Sequence, residues 1–231
     1  MTQKSGITFP LSEMFASLQG EGIRTGFKTL FVRLAGCNFF EDSPPHPCKF
    51  CDASYAWGVE SGNKVSLEDL ETQIVKACTE NNQDICLTGG EPLARKNVDK
   101  LIVWIADRYH LTVMTNGSLP LIRNTRAHYS MDIKCPASGN AGHTVWENLS
   151  LLGPKDQIKF VISNRDDFDY AKDIVHNIRE LGTNIIFQPA WKTLPLGTLA
   201  KWFIAEKDIP GNVRIGVQLH KYIWPKKNRG V

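Results

Sequence analysis

Apolar runs and amphipathic helical patterns alternate along most of this chain, and that alternation constrains its fold more than any other feature. "TLFVRLAG" (29–36) reads as a buried strand. "SLEDLETQIVKACTENN" (66–82) reads as a helix capped by Ser66, with Leu67, Leu70, Ile74, Ala77 and Cys78 on one apolar face. "DICLT" (84–88) is the next strand, followed by a helix over 98–109 and the strand "LTVMT" (111–115). "YSMDIK", "QIKFVIS", "NIIFQP" and "VRIGVQL" supply further strands, with helices in 166–181 and in "PLGTLAKWFIAEK" between them. Strands alternating with helices predict right-handed βαβ crossovers and a parallel sheet. About six or seven strands are too few for a closed eight-stranded barrel, so the expected α/β architecture is an incomplete, TIM-like barrel with outer helices. With 231 residues, no internal repeat and no linker, one domain over 1–231 is expected.

In parallel α/β sheets, ligands gather at the carboxyl ends of the strands. Cys37 follows the strand 29–36, "TGGEP" (88–92) follows 84–87, and "TNGS" (115–118) follows 111–114. "DIKCP" (132–136), "QPAW" (188–191) and "QLHKY" (218–222) each close a later strand. One shared active-site rim is the simplest expectation. The net charge of +3 is too small to point to nucleic acid. No apolar run is long enough to span a bilayer, and the polar start "MTQKSGITFP" is no signal peptide. The chain therefore reads as cytoplasmic, where six cysteines point to metal or redox chemistry rather than disulfides.

Three of those cysteines share one loop, "AGCNFFEDSPPHPCKFC" (35–51): Cys37, then Cys48 and Cys51 as a C-x-x-C pair. A structural zinc site needs a fourth ligand, for which His46, Cys78, Cys86 and Cys135 are available. Cys78 falls on the helix face and Cys86 in a strand, as core residues do. Cys135 is ambiguous, and His46 reads as part of a solvated loop. The other reading is a [4Fe–4S] cluster on three thiolates with one iron open. On the cysteines alone the two readings stand level. The glycines of "TGGEP" let the backbone approach a ligand, and Glu91 can receive a cationic amine. Set beside three cysteines at the same rim, that turn favours the cluster.

With these motifs the sequence resembles the radical S-adenosylmethionine (SAM) superfamily. The resemblance implies a cluster on Cys37, Cys48 and Cys51, SAM on the open iron, and GGEP against the SAM amine. Phe50 would lie against the adenine. The ten residues between Cys37 and Cys48 depart from the superfamily's usual C-x-x-x-C-x-x-C, at small cost in loop closure. "EMFASLQGEG" (13–22), "FVRLAGCN" (31–38), "CKFCDASYAW" (48–57), "LTGGEPL" (87–93), "DIKCPASG" (132–139), "FQPAW" (187–191) and "VQLHKYIW" (217–224) together are similar to the 7-carboxy-7-deazaguanine synthase family. That resemblance runs from about residue 13 to the C-terminus.

The family resemblance implies radical ring contraction of 6-carboxy-5,6,7,8-tetrahydropterin to 7-carboxy-7-deazaguanine, with loss of ammonia. A 5′-deoxyadenosyl radical would abstract and later return the hydrogen at C6. Substrate would meet Leu18, Gln19, Gly20, Glu21, Arg33, Thr88, His220 and the terminal Val231. SAM would meet Phe50, Cys51, Asp52, Gly89, Gly90, Glu91, Asn116, Asp132, Ile133, Lys134, Gln188, Pro189, Ala190 and Trp191. The family's magnesium ligand is often a Thr after "CD"; here Ala53 stands there, with Asp52 or Ser54 as possible substitutes. An electron donor such as flavodoxin or ferredoxin and a homodimer are also implied. Two other readings fit parts of the sequence. A radical SAM activase would share the cluster but act on a protein, and a zinc-stabilised interaction module would leave GGEP unexplained.

Overall fold

The alternation of strands and helices builds one sheet with its helices packed on the outer face. The computed structural model describes residues 6–231 apart from 43, 45, 79–82, 124 and 228. The elements are β1 (Thr8–Leu18), β2 (Lys28–Leu34), α1 (Asn38–Glu41), β3 (Asn63–Ser66), α2 (Leu67–Ala77), β4 (Asp84–Gly89), α3 (Val98–Ala106) and β5 (His110–Thr115). They continue with β6 (His128–Asp132), β7 (Gln157–Ile162), α4 (Arg165–Ile178), β8 (Asn184–Pro189), α5 (Leu196–Ala205), β9 (Val213–Ile215) and α6 (Leu219–Ile223). The sheet order is β3-β1-β2-β4-β5-β6-β7-β8-β9. From β2 through β4 to β9 every pairing is parallel, as expected. β3 and β9 are its edges, so the barrel is incomplete.

β1 and β3 extend the expected set. They pair antiparallel with each other, and β1 pairs antiparallel with β2. β1 does not read as a buried run because Ser12 and Glu13 interrupt it, and Glu13 sits opposite Arg33 on β2. The last strand is shorter than expected. β9 stops at Ile215, Gly216 N–H donates back to Phe187 O at 2.8 Å, and "QLHKY" opens α6 rather than closing a strand. The helix predicted over 66–82 ends at Ala77, with Cys78 as its C-cap, and residues 79–82 lie outside the described ones. Ser66 caps it through Asp69 N at 3.0 Å.

Alternation within the strands sorts the two faces. Leu30, Val32, Leu34, Ile85, Leu87, Leu111, Val113, Ile158, Phe160 and Phe187 join α2–α5 in one apolar core. Leu67, Leu70, Ile74, Leu101, Ile102, Ile105, Phe168, Ala171 and Leu199, all 0% exposed, supply its helical side. The opposite parity carries Arg33, Cys86, Thr88, Thr112, Ser130, Asp132, Gln157 and Lys159, so the concave face is polar. Among the described residues no helix is long and apolar enough to cross a membrane.

Phe168 shows how tightly the helical layer is seated. Its ring meets Phe187 edge-on at 5.7 Å and Trp202 at 5.9 Å. Phe168→Ala is expected to cost about 3–5 kcal/mol in urea unfolding, through lost transfer energy and the cavity left behind.

Candidate active site

The exits of β2, β4 and β5 are drawn together by short backbone contacts. Gly90 N–H donates to Leu34 O (3.1 Å) and Glu91 N–H to Gly36 O (2.8 Å). A Cβ on Gly90 would press on the carbonyl oxygens of Gly36 and Ala56, so glycine is required here by the crowding of strand exits. The Glu91 carboxylate, 0% exposed, turns away from the barrel mouth. It accepts from Leu93 N (2.9 Å), Thr115 Oγ1 (2.9 Å) and Asn116 N (2.6 Å). Burial pushes its pKa up to about 7, against the pull of these donors. Asn116 in turn donates to Asn38 Oδ1 at 3.0 Å, tying the "TNGS" turn to the residue after Cys37.

Cys37, Cys48 and Cys51 are neighbours on this framework, close enough for Cys48 and Cys51 to influence Cys37 electrostatically. Cys37 N–H is held by Trp57 O at 2.7 Å and Cys51 N–H by Cys48 O at 3.2 Å. Burial raises the Cys37 thiol to about 11 and lifts Cys51 as well, and the neighbouring cysteines push Cys37 further the same way. Among the described residues, no three ligand atoms that include these sulfurs lie within 4.8 Å of one another. His46, in a loop with its side chain 31% exposed, stacks its ring on His143 at 4.7 Å and packs it against Phe39 at 5.3 Å. Cys86 is fully buried and is pushed up to about 12 by that burial.

Below the thiols, a cavity is bounded by a continuous chain of charges. Lys134 Nζ is 2.7 Å from Asp132, and Lys159 Nζ joins Asp132 (3.2 Å) to Glu21 (2.5 Å). Gln218 Nε2 then links Glu21 (2.8 Å) to Asp52 (3.2 Å), which Lys221 approaches at 3.5 Å. Burial pushes Glu21 up, but the Lys159 ammonium, with help from His220 and Gln218, outweighs it and holds the carboxyl at about 2. Burial pulls Lys134 and Lys159 down, and Asp132 with its neighbouring anions more than restores them, so both stay protonated. On β2, Arg33 donates Nε–H to Glu13 at 2.8 Å, and Glu13 also accepts from the Tyr55 hydroxyl at 2.7 Å.

All eight expected substrate residues, Leu18, Gln19, Gly20, Glu21, Arg33, Thr88, His220 and Val231, line this one cavity. So do Cys51, Asp52, Gly89, Gly90, Asn116, Asp132 and Lys134. His220 packs so closely over Gly20 that any side chain there would collide with the imidazole. Ile133, at 0% exposure, belongs to the apolar core. Gln188 and Ala190 are also buried, while Pro189 and Trp191 line a separate apolar pocket with Val217 and Tyr222. Phe50 is half-buried next to Cys51. Lys159, Glu13, Tyr55 and Gln218 also join the site, although none of them had a role assigned from sequence; Glu13, Tyr55 and Gln218 lie inside the quoted motifs. The signal for Lys159 was present, a lone lysine inside the apolar run "QIKFVIS".

Lys159→Met would leave Glu21 buried without its main counter-charge. At pH 7 the expected loss is about 3–5 kcal/mol. The wild-type contribution is present above the ordinary carboxylate pKa of 4.5 and fades as pH falls through about 2. The gap between variant and wild type in urea midpoints should therefore narrow as pH is lowered below 4.5.

The site can be set beside known proteins. Residues 32–193 match the Radical SAM superfamily. The 7-carboxy-7-deazaguanine synthase of Koribacter versatilis (strain Ellin345) is 34% identical over 96% of this chain and 99% of its own length. The enzyme of the same name from Chlorobaculum tepidum is also 34% identical, over 96% of each chain. The crystal structure of QueE from Escherichia coli superposes with a TM-score of 0.69 at 21% identity, covering 94% of this chain and 96% of that one, a likeness of fold. Identity at this level over nearly the whole chain, with three thiols above a polar barrel mouth, places the protein in the radical SAM superfamily and, within it, in the 7-carboxy-7-deazaguanine synthase family.

Proposed function

We propose that this enzyme converts 6-carboxy-5,6,7,8-tetrahydropterin to 7-carboxy-7-deazaguanine and ammonia, in deazapurine biosynthesis. The observation that carries the reading is that Cys51 and the Gly89–Gly90 turn line the same cavity as Glu21, Arg33 and His220. Cys37, Cys48 and Cys51 would hold the [4Fe–4S] cluster, and their donor set of three thiols suits it. SAM would rest on Phe50, Gly89, Gly90, Asn116, Asp132 and Lys134, with Ile133 and residues 188–191 supporting that wall from behind. When bound, the reduced cluster and SAM supply the carbon-centred radical that starts the ring contraction. Glu91 contributes indirectly, by holding Gly90 and Asn116 in place.

The chain's own residues bind and orient the pterin. Arg33, its Nε spent on Glu13, offers its terminal nitrogens to the substrate carboxylate. Glu21 is kept ionised and accepts from the N–H edge of the pterin ring, beside Gln19 and Gly20. Lys159 balances that charge, and α6 closes the mouth with Leu219 N–H on Gly20 O at 2.8 Å. Residues 1–231 are read as one domain with the cluster loop at 37–51, because one sheet runs from Thr8 to Ile215. All six cysteines are free, in keeping with a cytoplasmic protein. A flavodoxin- or ferredoxin-type donor and a homodimer complete the reading, both on family resemblance.

Anaerobic reconstitution with iron and sulfide, then reductant, SAM and the carboxypterin, tests the proposal by mass spectrometry of the product. Failure to form it, with 5′-deoxyadenosine still released, would refute the substrate and leave the radical chemistry standing. Arg33→Met should lower kcat/KM about 10- to 100-fold, the worth of one charge-assisted hydrogen bond at about 1.5–3 kcal/mol.

Magnesium is a finer part of the proposal. Ala53 brings no oxygen to the cavity wall, and Ser54 is exposed rather than lining it. The nearest carboxylate is Asp52, whose ligand atom lies within 4.8 Å of those of Glu21 and His220. Stimulation by magnesium should be weak in the wild type, rise in Ala53→Thr and vanish in Asp52→Asn. Strong stimulation of the wild type that survives Asp52→Asn would remove Asp52 from the ion's surroundings.

A further inference from the structure

Two side chains outside the ligand set aim N–H groups at the cluster thiolates. Trp57 closes the turn after Cys51, and its indole Nε1–H donates to Cys51 Sγ at 3.2 Å. The ring is held in that pose by stacking on Phe40, with centroids 5.6 Å apart and planes 25° from parallel. Its carbonyl anchors Cys37 N–H, so one residue braces two of the three cysteines. Asn140 reaches the third from the opposite side. Its Nδ2 amide lies 3.0 Å from His46 O, 3.5 Å from Ser138 O and 3.6 Å from Cys48 Sγ, so with one hydrogen on His46 O the other is shared between Ser138 O and Cys48 Sγ.

Asn140 is not free to swing away. It is 1% exposed, and its backbone N–H donates to Ser138 Oγ at 3.0 Å. The turn beneath it is clamped to α4, where the buried Asp167 carboxylate accepts from Ala137 N at 2.9 Å. The segment joining Cys37 to Cys48 docks on this same turn. His46 stacks on His143, both rings rest on Phe39, and Lys49 N–H donates to Ser138 O at 3.3 Å. The long spacer between the first two cysteines thus delivers Cys48 to Asn140. Backbone amides of Phe39 and Ala53 add donors to Cys37 and Cys51.

Packing alone would account for a buried indole and a buried amide with sulfur as the nearest acceptor. It would not account for donors converging from two unconnected loops on two sulfurs of one group. Hydrogen bonds to the sulfurs are among the levers that set an iron–sulfur potential, because they stabilise the more negative, reduced state. They act most strongly where water is excluded.

We propose that Trp57 and Asn140 are positioning residues that raise the reduction potential of the cluster through N–H···S bonds to Cys51 and Cys48. The step they assist is the transfer of one electron from a low-potential donor, taking [4Fe–4S]2+ to [4Fe–4S]+. No bond breaks in that step and no proton is taken up. The proposal rests on the assignment of the cluster to Cys37, Cys48 and Cys51.

The test uses the reconstituted holoenzyme and its variants Trp57→Phe, Asn140→Leu and the double variant, titrated anaerobically with the reduced cluster followed by EPR. Trp57→Phe keeps a ring on Phe40 and removes the donor; Asn140→Leu keeps the volume. Each should bind iron and sulfide as the wild type does and titrate at a more negative potential. At the poise that half-reduces the wild type, the reduced fraction should fall severalfold, and further in the double variant. Turnover should drop with a weak reductant and recover with a stronger one, a rescue that a merely structural role would not give. In reduced wild type, ENDOR in H2O and D2O should show an exchangeable proton coupling that Trp57→Phe lacks. Full cluster loading with unchanged potentials would overturn the proposal. Trp57→Phe decides the matter even where Asn140→Leu fails to load. A wild type that takes up no four-iron cluster would overturn the ligand assignment itself, and with it this inference.

Discussion

The buried carboxylate of Glu91 is the tie on which the rest of the site depends. Its three accepted hydrogen bonds lock the β4 turn to the β5 exit, and its own N–H reaches the β2 exit at Gly36. Cys37 follows Gly36 directly, so the first thiol inherits its position from this knot. A carboxylate is costly to bury, and its raised pKa records that cost. Three donors on the two oxygens offset it, and they fix the geometry where three strands end.

The cavity beneath is built on the opposite principle. Charges of alternating sign, Lys134, Asp132, Lys159 and Glu21, run across the concave face, and Gln218 carries the line on to Asp52 beside Cys51. Each ion is stabilised by its neighbours more than by solvent. Ionised groups stay ionised in a partly dry pocket, and hydrogen-bonding groups arrive already oriented for a flat, polar substrate. The Cys51 end and the Glu21 end of the cavity are joined by one chain of ion pairs and hydrogen bonds.

Much of this was legible in the chain. Strands and helices declared themselves because the outer face of each strand is apolar and each helix carries one apolar stripe. The cysteines and TGGEP stood out as chemistry that a core does not need, whereas LQGEG and Arg33 gained a role only through the family resemblance. Other parts were hidden for identifiable reasons. β1 was obscured because it carries Glu13 for Arg33, and polar interruptions break its pattern. "QLHKY" reads as the end of a strand, but the pairing with β8 ends at Ile215 and the segment folds into a helix instead. Lys159 looks like noise in an apolar run until the barrel places it between two carboxylates.

What the sequence by itself determined is the class of fold and the class of chemistry. Periodicity reports which faces must be buried, and thiol spacing with a glycine-rich turn reports a reactive group. Only the tertiary structure decided which residues meet. Glu21 and Lys159 are separated by 138 positions, and Asn140 and Cys48 by 92. Pairings at such range leave no periodic trace, because they arise from sheet order and from loops docking on one another after the strands have assembled.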